Sequence, residues 1–399
     1  MQHNRILYLT PDGLTDPLGQ SQILPYLKGL ASEGFSITII SWEKKARFNR
    51  LAPAVETICQ NHGIVWLPLT YYAFPPVLAS WLNILRMRML ATKLWRKQPY
   101  QLVHCRSYLT SLVGVYLKQK LGIKFIFDMR GFWADERRES NLWPVNSFLY
   151  SRIYTYFKIQ ERKFLSEADH IVTLTHAAAH EIETWKLVNS TISIIPTCVD
   201  LKHFNPDQVS DLDKETLRQQ LGITKDKFVL LYLGSWGTWY LTAEMLQLFR
   251  LLRNQTQAIF LILTPDTSAV SLEPGLIVRE VSRKDLPLYI SVAHASVFFI
   301  QPSFSKKGSA ATKMGELLAM NTPIITNTGW GDVEKILNDV KSTYLVEDFS
   351  NLEMIRIIDQ LLKGGINNGL RVTASVYFDL AIGINKYKAI YQSLLKCDV

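Results

Sequence analysis

The run Gln301-Pro-Ser-Phe-Ser-Lys306-Lys307-Gly308-Ser309-Ala-Ala-Thr312-Lys313-Met-Gly-Glu316-Leu-Leu-Ala-Met-Asn-Thr-Pro323-Ile-Ile-Thr326 follows a strand-like Val297–Ile300 and closes in a second strand, Pro323–Thr326. Between the two, a small-residue loop with two lysines opens a helical pattern over Thr312–Met320. Strand, loop, helix and strand in so short a span make one βαβ unit, and such units build parallel sheets covered on both faces.

The same alternation extends in both directions. Upstream, strand-like runs fall at Ile6–Thr10, Ile37–Trp42, Ile64–Leu69, Leu102–Cys105, Phe125–Met129, Ile171–Leu174 and Ile192–Ile195, with helical patterns such as Gln20–Ser32, Thr110–Leu121 and Phe148–Leu165 between them. A polar, turn-rich stretch from Pro196 to about Asp213 reads as an interdomain linker. Beyond it the strands resume at Phe228–Leu233, Ile259–Leu263, Leu276–Val281 and Tyr344–Val346, and Val376–Val399 reads as one terminal helix. The pattern predicts two tandem α/β domains, over 1–200 and 201–375, with the helix 376–399 after them. The carboxyl ends of two such sheets would face a cleft, where ligands bind in open α/β folds.

Composition narrows the class. The 399 residues are 48% hydrophobic and 20% charged, which excludes a disordered chain. Cys59, Cys105, Cys198 and Cys397 have no short spacing, so neither a disulfide framework nor a zinc site is expected. No run approaches the ~18–20 apolar residues of a spanning helix, and Met1 leads into Arg5–Thr10 without an apolar leader, so the expectation is a cytoplasmic protein. The net charge of +9 is concentrated early: residues 1–200 hold 23 Lys/Arg against 15 Asp/Glu, and the 71 residues between Glu56 and Asp128 contain nine basic side chains and no acid. Within that stretch Leu78–Lys97 reads as a helix with Arg86, Lys93 and Lys97 on one face and Trp81, Leu82, Leu85 and Met89 on another. It fits either an anionic membrane surface or an ordinary packed helix with a solvated basic side. Nucleic acid is not expected, since no recognition motif accompanies the charge.

Four places carry candidate chemistry. The first strand runs into Thr10-Pro-Asp-Gly-Leu-Thr-Asp-Pro-Leu-Gly19-Gln20-Ser21, a helix start whose N–H groups could face an anion or simply a turn with its cap. Phe125–Asp128 breaks into Met-Arg130-Gly-Phe-Trp133, with His104 and Arg106 at the end of the preceding strand; Asp128 and Arg130 are either site residues or a structural ion pair. In the second half, Leu233-Gly234-Ser235-Trp236-Gly237 repeats the strand–glycine–helix pattern, with Trp236 and Trp239 read as packing. In the quoted run, Lys306, Lys313 and helix N–H groups would neutralise a pyrophosphate, and Glu316 would accept ribose hydroxyls. A solvated salt bridge between Lys313 and Glu316 is the alternative.

Together, ILYLTPDGLTDPLGQSQ, FDMRGFWADE, IIPTCVDLKHF, YLGSWGTWY and ATKMGELLAMNTPIIT followed by Gly329-Trp-Gly-Asp332 resemble a family-4 (group 1) glycosyltransferase of the GT-B type, over nearly the full length. The resemblance implies two Rossmann-like domains facing across a cleft, acceptor-side first and donor-side second, with the terminal helix returning to the first. It implies that Glu316 holds the donor ribose. Lys306, Lys313 and the Ser309–Thr312 loop would face the diphosphate with Gly234 and Ser235, while Gly19 and Gln20 approach it from the other domain. Asp128 and Arg130, with His104 and Arg106, would lie where acceptor and sugar meet. Two positions depart from the family: Gly308 stands where its first signature glutamate falls, and Gly234-Ser235-Trp236-Gly237 replaces its basic phosphate motif, which marks a divergent subfamily.

The implied activity is a retaining hexosyl transfer from a nucleotide-diphosphate sugar to a hydroxyl acceptor, without a cofactor or a metal. The basic first domain points to a lipid-linked or polysaccharide-precursor acceptor and to peripheral association with the inner face of the cell membrane. The alternatives are a nucleotide-sugar epimerase of the same fold and a non-catalytic membrane-surface binding protein.

Overall fold

Short apolar runs can be buried on both faces only if helices cover both sides of a parallel sheet. The computed structural model, which describes residues 4–364 and 369–396, shows this arrangement twice. The first unit comprises residues 1–196 and 380–399. Its elements are β1 (Arg5–Thr10), α1 (Leu24–Ser32), β2 (Ser36–Glu43), α2 (Lys45–Asn61), β3 (Val65–Thr70), α3 (Pro76–Lys97), β4 (Leu102–Arg106), α4 (Ser107–Leu121), β5 (Lys124–Asp128), α5 (Trp133–Glu139), α6 (Phe148–Glu167), β6 (His170–Thr173), α7 (His176–Thr184) and β7 (Thr191–Ile194). The second unit, residues 197–379, holds α8 (Asp211–Gln220), β8 (Phe228–Leu233), α9 (Thr242–Gln255), β9 (Ala258–Leu263), β10 (Leu276–Arg279), α10 (Leu286–Ser291), β11 (Ala295–Phe298), α11 (Thr312–Ala319), β12 (Ile324–Asn327), α12 (Val333–Leu337), β13 (Thr343–Val346), α13 (Asn351–Lys363) and α14 (Leu370–Tyr377). A last helix, α15 (Leu380–Lys396), belongs to the first unit.

Both sheets are parallel and doubly wound. Among the described residues the orders are β3-β2-β1-β4-β5-β6-β7 and β10-β9-β8-β11-β12-β13. The order reverses between β1 and β4 in one unit and between β8 and β11 in the other. Loops leaving the carboxyl ends of those strands diverge there and leave a crevice for ligands. Register then decides which side chains emerge together: Tyr8 lies beside His104, and Arg106 beside Asp128.

Three segments differ from the sequence pattern. The terminal residues do not form one helix from Val376: α14 stops at Tyr377 and α15 starts at Leu380, because Val199 N–H donates to the Phe378 carbonyl (2.7 Å) and ties the returning chain to the outgoing one. The linker is also partly regular, since Ser210 caps α8 through Asp213 N–H (3.1 Å). Finally, α3 buries Ala79, Asn83, Ile84, Met87 and Ala91, whereas Leu78, Trp81, Leu82, Leu85 and Met89 are exposed. Asn83 is satisfied on the packed face by the backbone of Tyr72. Cys59, Cys105 and Cys198 are buried and unbridged, and Cys397 lies outside the described residues.

Candidate active site

In the first unit, the residues at the carboxyl ends of β1, β4 and β5 form one buried charged cluster. Arg106 donates from Nε to Asp12 (3.0 Å) and from Nη2 to Gln22 Oε1 (2.8 Å), an oxygen that Arg130 Nη2 also reaches (2.9 Å). Asp128 faces Arg130 at 3.7 Å and accepts from Tyr387 O–H (3.1 Å) on α15. His104 connects to Asp128 through Nε2 (3.4 Å) and to Tyr391 O–H through Nδ1 (2.7 Å). Burial lowers the pKa of His104, so the ring is neutral. A carboxylate only accepts, so Nε2 carries the proton and Nδ1 accepts from Tyr391.

Burial alone would raise the Asp128 carboxyl, but Arg130 above all, with His104 and Arg106, outweighs it and holds it at about 2. Asp128 is therefore ionised at neutral pH and too weak a base to abstract a hydroxyl proton readily. It faces Arg130, which adopts φ +57° with Gly131 following at φ +113°. His104, Arg106, Asp128 and Arg130, singled out in the sequence, are thus brought together.

Gly19 and Gln20 have a local role. A Cβ at Gly19 would stand 2.1 Å from the Gly13 carbonyl oxygen, so the glycine is needed for the loop to fold on itself. Gln20 Nε2 donates to the Leu14 carbonyl (2.6 Å). The loop is anchored by Glu43, which accepts from Leu14 N–H (2.7 Å), Thr15 N–H (3.2 Å) and Ser41 O–H (2.6 Å).

In the second unit the loops after β8 and β11 are pinned together: Gln301 N–H donates to Trp239 (2.9 Å) and Leu241 N–H to Phe299 (3.0 Å). The Gly234 turn, at φ +123°, lies directly over Lys313, whose Nζ would be 2.7 Å from a Cβ at that position. Lys313 is 6% exposed, and its ammonium has no hydrogen-bond partner. It sits against the ring faces of Tyr240 (3.6 Å), Tyr232 (4.3 Å) and Phe298 (5.6 Å). Burial pushes its pKa well below the usual lysine value, with Glu316 pulling the other way. Glu316 is buried too, and pairs with Arg283 (2.7 Å). The pair Lys313–Glu316 is therefore no solvated salt bridge.

Lys306 is buried with its ammonium 3.6 Å above the Trp239 ring, while Trp236 packs edge-on to Tyr232. Ser309 and Thr312 are half-buried at the start of α11, and Ser235 is exposed in the turn that follows β8. The carbonyl of Ser235 accepts from Tyr232 O–H. Aromatic ring faces thus hold both the Lys306 and the Lys313 ammonium groups.

Residues 22–203 match the family described as Glycosyltransferase Family 4. That match spans a little under half of the chain. Over 256 residues it is 23% identical to TuaC of Bacillus subtilis (strain 168), named for a glycosyltransferase of teichuronic acid biosynthesis. The match spans 62% of this chain and 63% of that relative, under two thirds of its length. Solved structures share the fold along the whole chain. A glycosyltransferase from Rickettsia africae ESF-5 superposes with TM-score 0.72 at 14% identity, covering 99% of this chain and all of that one. Alr3699/HepE of Anabaena, solved with UDP and glucose, gives 0.69 at 14% identity, covering 98% and 100%. The two doubly wound sheets of this chain are thus the Rossmann-like pair of the GT-B fold.

Sequence reasoning missed several residues of the site. Arg283, which neutralises Glu316, comes from the loop after β10 and carries no local signal. Gln22 and Glu43 sit in ordinary helix and strand patterns. Tyr232 and Tyr240 flank the quoted Gly234 turn, and their ring faces were the available clue to where an unpaired lysine would rest.

Proposed function

We propose that the protein transfers a sugar, with retention, from a nucleoside-diphosphate donor to an acceptor hydroxyl. The observation that carries this reading is the buried, unpartnered Lys313 ammonium beneath the Gly234 turn, one helical turn from Glu316. Lys313, Lys306, Ser309, Thr312 and the N–H groups of Gly234 and Ser235 would hold the diphosphate, and Glu316 would accept the ribose hydroxyls. Charge growing on the leaving diphosphate would then meet donors already in place; removing one such donor typically costs ~10²–10³ in rate. In this reading lysines and amides supply the neutralisation that a metal provides elsewhere. The leaving phosphate takes the acceptor proton, and the Asp128–Arg130–His104–Arg106 cluster positions the acceptor. That HepE has been solved with UDP and glucose, and that TuaC is named for teichuronic acid biosynthesis, supports a nucleotide-sugar donor and a polysaccharide-precursor acceptor.

The acceptor reading extends to a membrane surface. No helix among the described residues is long and apolar enough to cross a membrane. On α3, however, Leu78 is 68% and Trp81 51% exposed, beside the acid-free basic stretch. An apolar stripe with cationic flanks is the chemistry of interfacial docking on anionic lipid. Binding to anionic vesicles should weaken with salt, and equal binding to neutral vesicles would count against it. The test of the transfer itself is Glu316→Ala: turnover should fall with donor affinity, and wild-type values for both would remove the ribose assignment.

A further inference from the structure

Within the N-terminal unit, α3, α4, α5 and α6 enclose a cavity of about 400 Å³, within the size range of small-molecule sites. Its wall is aromatic: Trp133 meets Trp143 and Phe157 edge-on, with centroids 5.2 and 4.9 Å apart. Two arginines, Arg137 and Arg152, line it, and no Asp, Glu, Asn or Gln does. The Arg137 guanidinium lies 4.4 Å over the Trp133 ring and 5.7 Å from that of Trp143. Its Nε is buried without a hydrogen-bond partner, and an unsatisfied buried donor is costly unless a ligand completes it.

The wall chemistry selects among occupants. To a saccharide the wall offers only the hydroxyls of Tyr71, Ser80, Tyr150 and Tyr156, and no carboxylate or side-chain amide to accept from its hydroxyl groups. An apolar chain needs only area, and an anion at its end would find the arginines. Trp81 lines the cavity and also stands in the exposed stripe of α3, while Phe148, 73% exposed, stands beneath the Arg152 guanidinium (4.3 Å). The rim is thus apolar and cationic together.

We propose that this cavity seats the apolar chain of a phosphate-bearing lipid, with the phosphate held by Arg137 and Arg152. The proposal rests on the acceptor reading above and assigns it a place. It is tested by calorimetric titration of the full chain with a series of n-alkyl phosphates from octyl to dodecyl, kept below their micelle concentrations, with the matching alkanols as controls. Affinity should rise roughly fourfold per added methylene until the cavity is filled, and each phosphate should bind at least tenfold more tightly than its alkanol. Arg137→Leu should abolish that headgroup preference, and Ser80→Trp, which fills the cavity from α3, should abolish chain binding. Both variants should keep the wild-type circular dichroism spectrum and melting transition, which establishes that both units are folded, and should bind nucleoside diphosphates as the wild type does. Nucleotide binding without saturable alkyl phosphate binding overturns the cavity assignment and leaves the donor reading standing. Alkyl phosphate binding without nucleotide binding supports the cavity and overturns the donor reading. Chain binding unchanged in Ser80→Trp also overturns the assignment.

Discussion

Replacing Lys313 by methionine should separate binding from folding. The side chain keeps nearly the same length and still fills the space among Tyr232, Tyr240 and Phe298, so packing is retained. What disappears is an ammonium that is 6% exposed and lacks a hydrogen-bond partner. Its burial cost is offset by ring contacts worth ~0.5–2 kcal/mol each, so stability in urea should change by less than ~1 kcal/mol or rise. Donor binding should respond differently. A hydrogen bond to a charged group is worth ~1.5–3 kcal/mol, so the nucleoside-diphosphate Kd should increase about 10- to 150-fold.

Titration gives a second signature for Lys313. Burial lowers its pKa in the folded protein, so the unfolded chain binds the proton more readily. Stability therefore rises with pH from the depressed folded value up to the unfolded value of 10.5. The methionine variant should lack that slope. A diphosphate entering the site favours the ammonium and should raise the Lys313 pKa, so at any pH between the free and the bound value binding should take up a proton, seen as a heat that depends on the ionisation enthalpy of the buffer. A Lys313→Met protein that loses several kcal/mol of stability but binds nucleotide normally would refute the reasoning and make the lysine structural.

Three further outcomes follow from measured contacts. Asp128→Asn leaves Arg130 and Arg106 short of a buried counter-charge and should cost about 3 kcal/mol in urea denaturation. The wild-type contribution of Asp128 is complete above the unfolded value of 3.8 and fades as pH falls through about 2, so the variant should show a flatter acid limb. Gly19→Ala drives a Cβ into the backbone of Gly13 and Leu14 and should lose about 1–3 kcal/mol, read as a lower melting temperature. Gly234→Ala places a side chain at φ +123° against the Lys313 ammonium. It should cost about 1–3 kcal/mol of strain and weaken nucleotide binding by calorimetry.

Much of the fold was legible because β8, Phe-Val-Leu-Leu-Tyr-Leu, and its counterparts are apolar throughout, as strands covered on both faces must be. The site was legible where chemistry sits beside a strand end: His104, Arg106, Asp128 and Arg130 all leave β4 or β5 at the switch region. The pairing of Glu316 with Arg283, 33 residues upstream, was not legible, because tertiary approach and no local spacing brings them together. The face of α3 that packs was misleading for a related reason. Trp81, Leu82, Leu85 and Met89 make the more hydrophobic stripe, yet the face of Ala79, Asn83, Ile84, Met87 and Ala91 is the one that is buried. The break between α14 and α15 depends on a hydrogen bond from Val199, far away in sequence.

The central claim is that the C-terminal unit grips a nucleoside diphosphate through Lys313. Titration of the wild-type chain and Lys313→Met with a panel of nucleoside diphosphates tests it most directly. The account predicts saturable binding of at least one of them, weakened about 10- to 150-fold in the variant. No saturable binding across the panel, or equal affinity in both proteins, would contradict it.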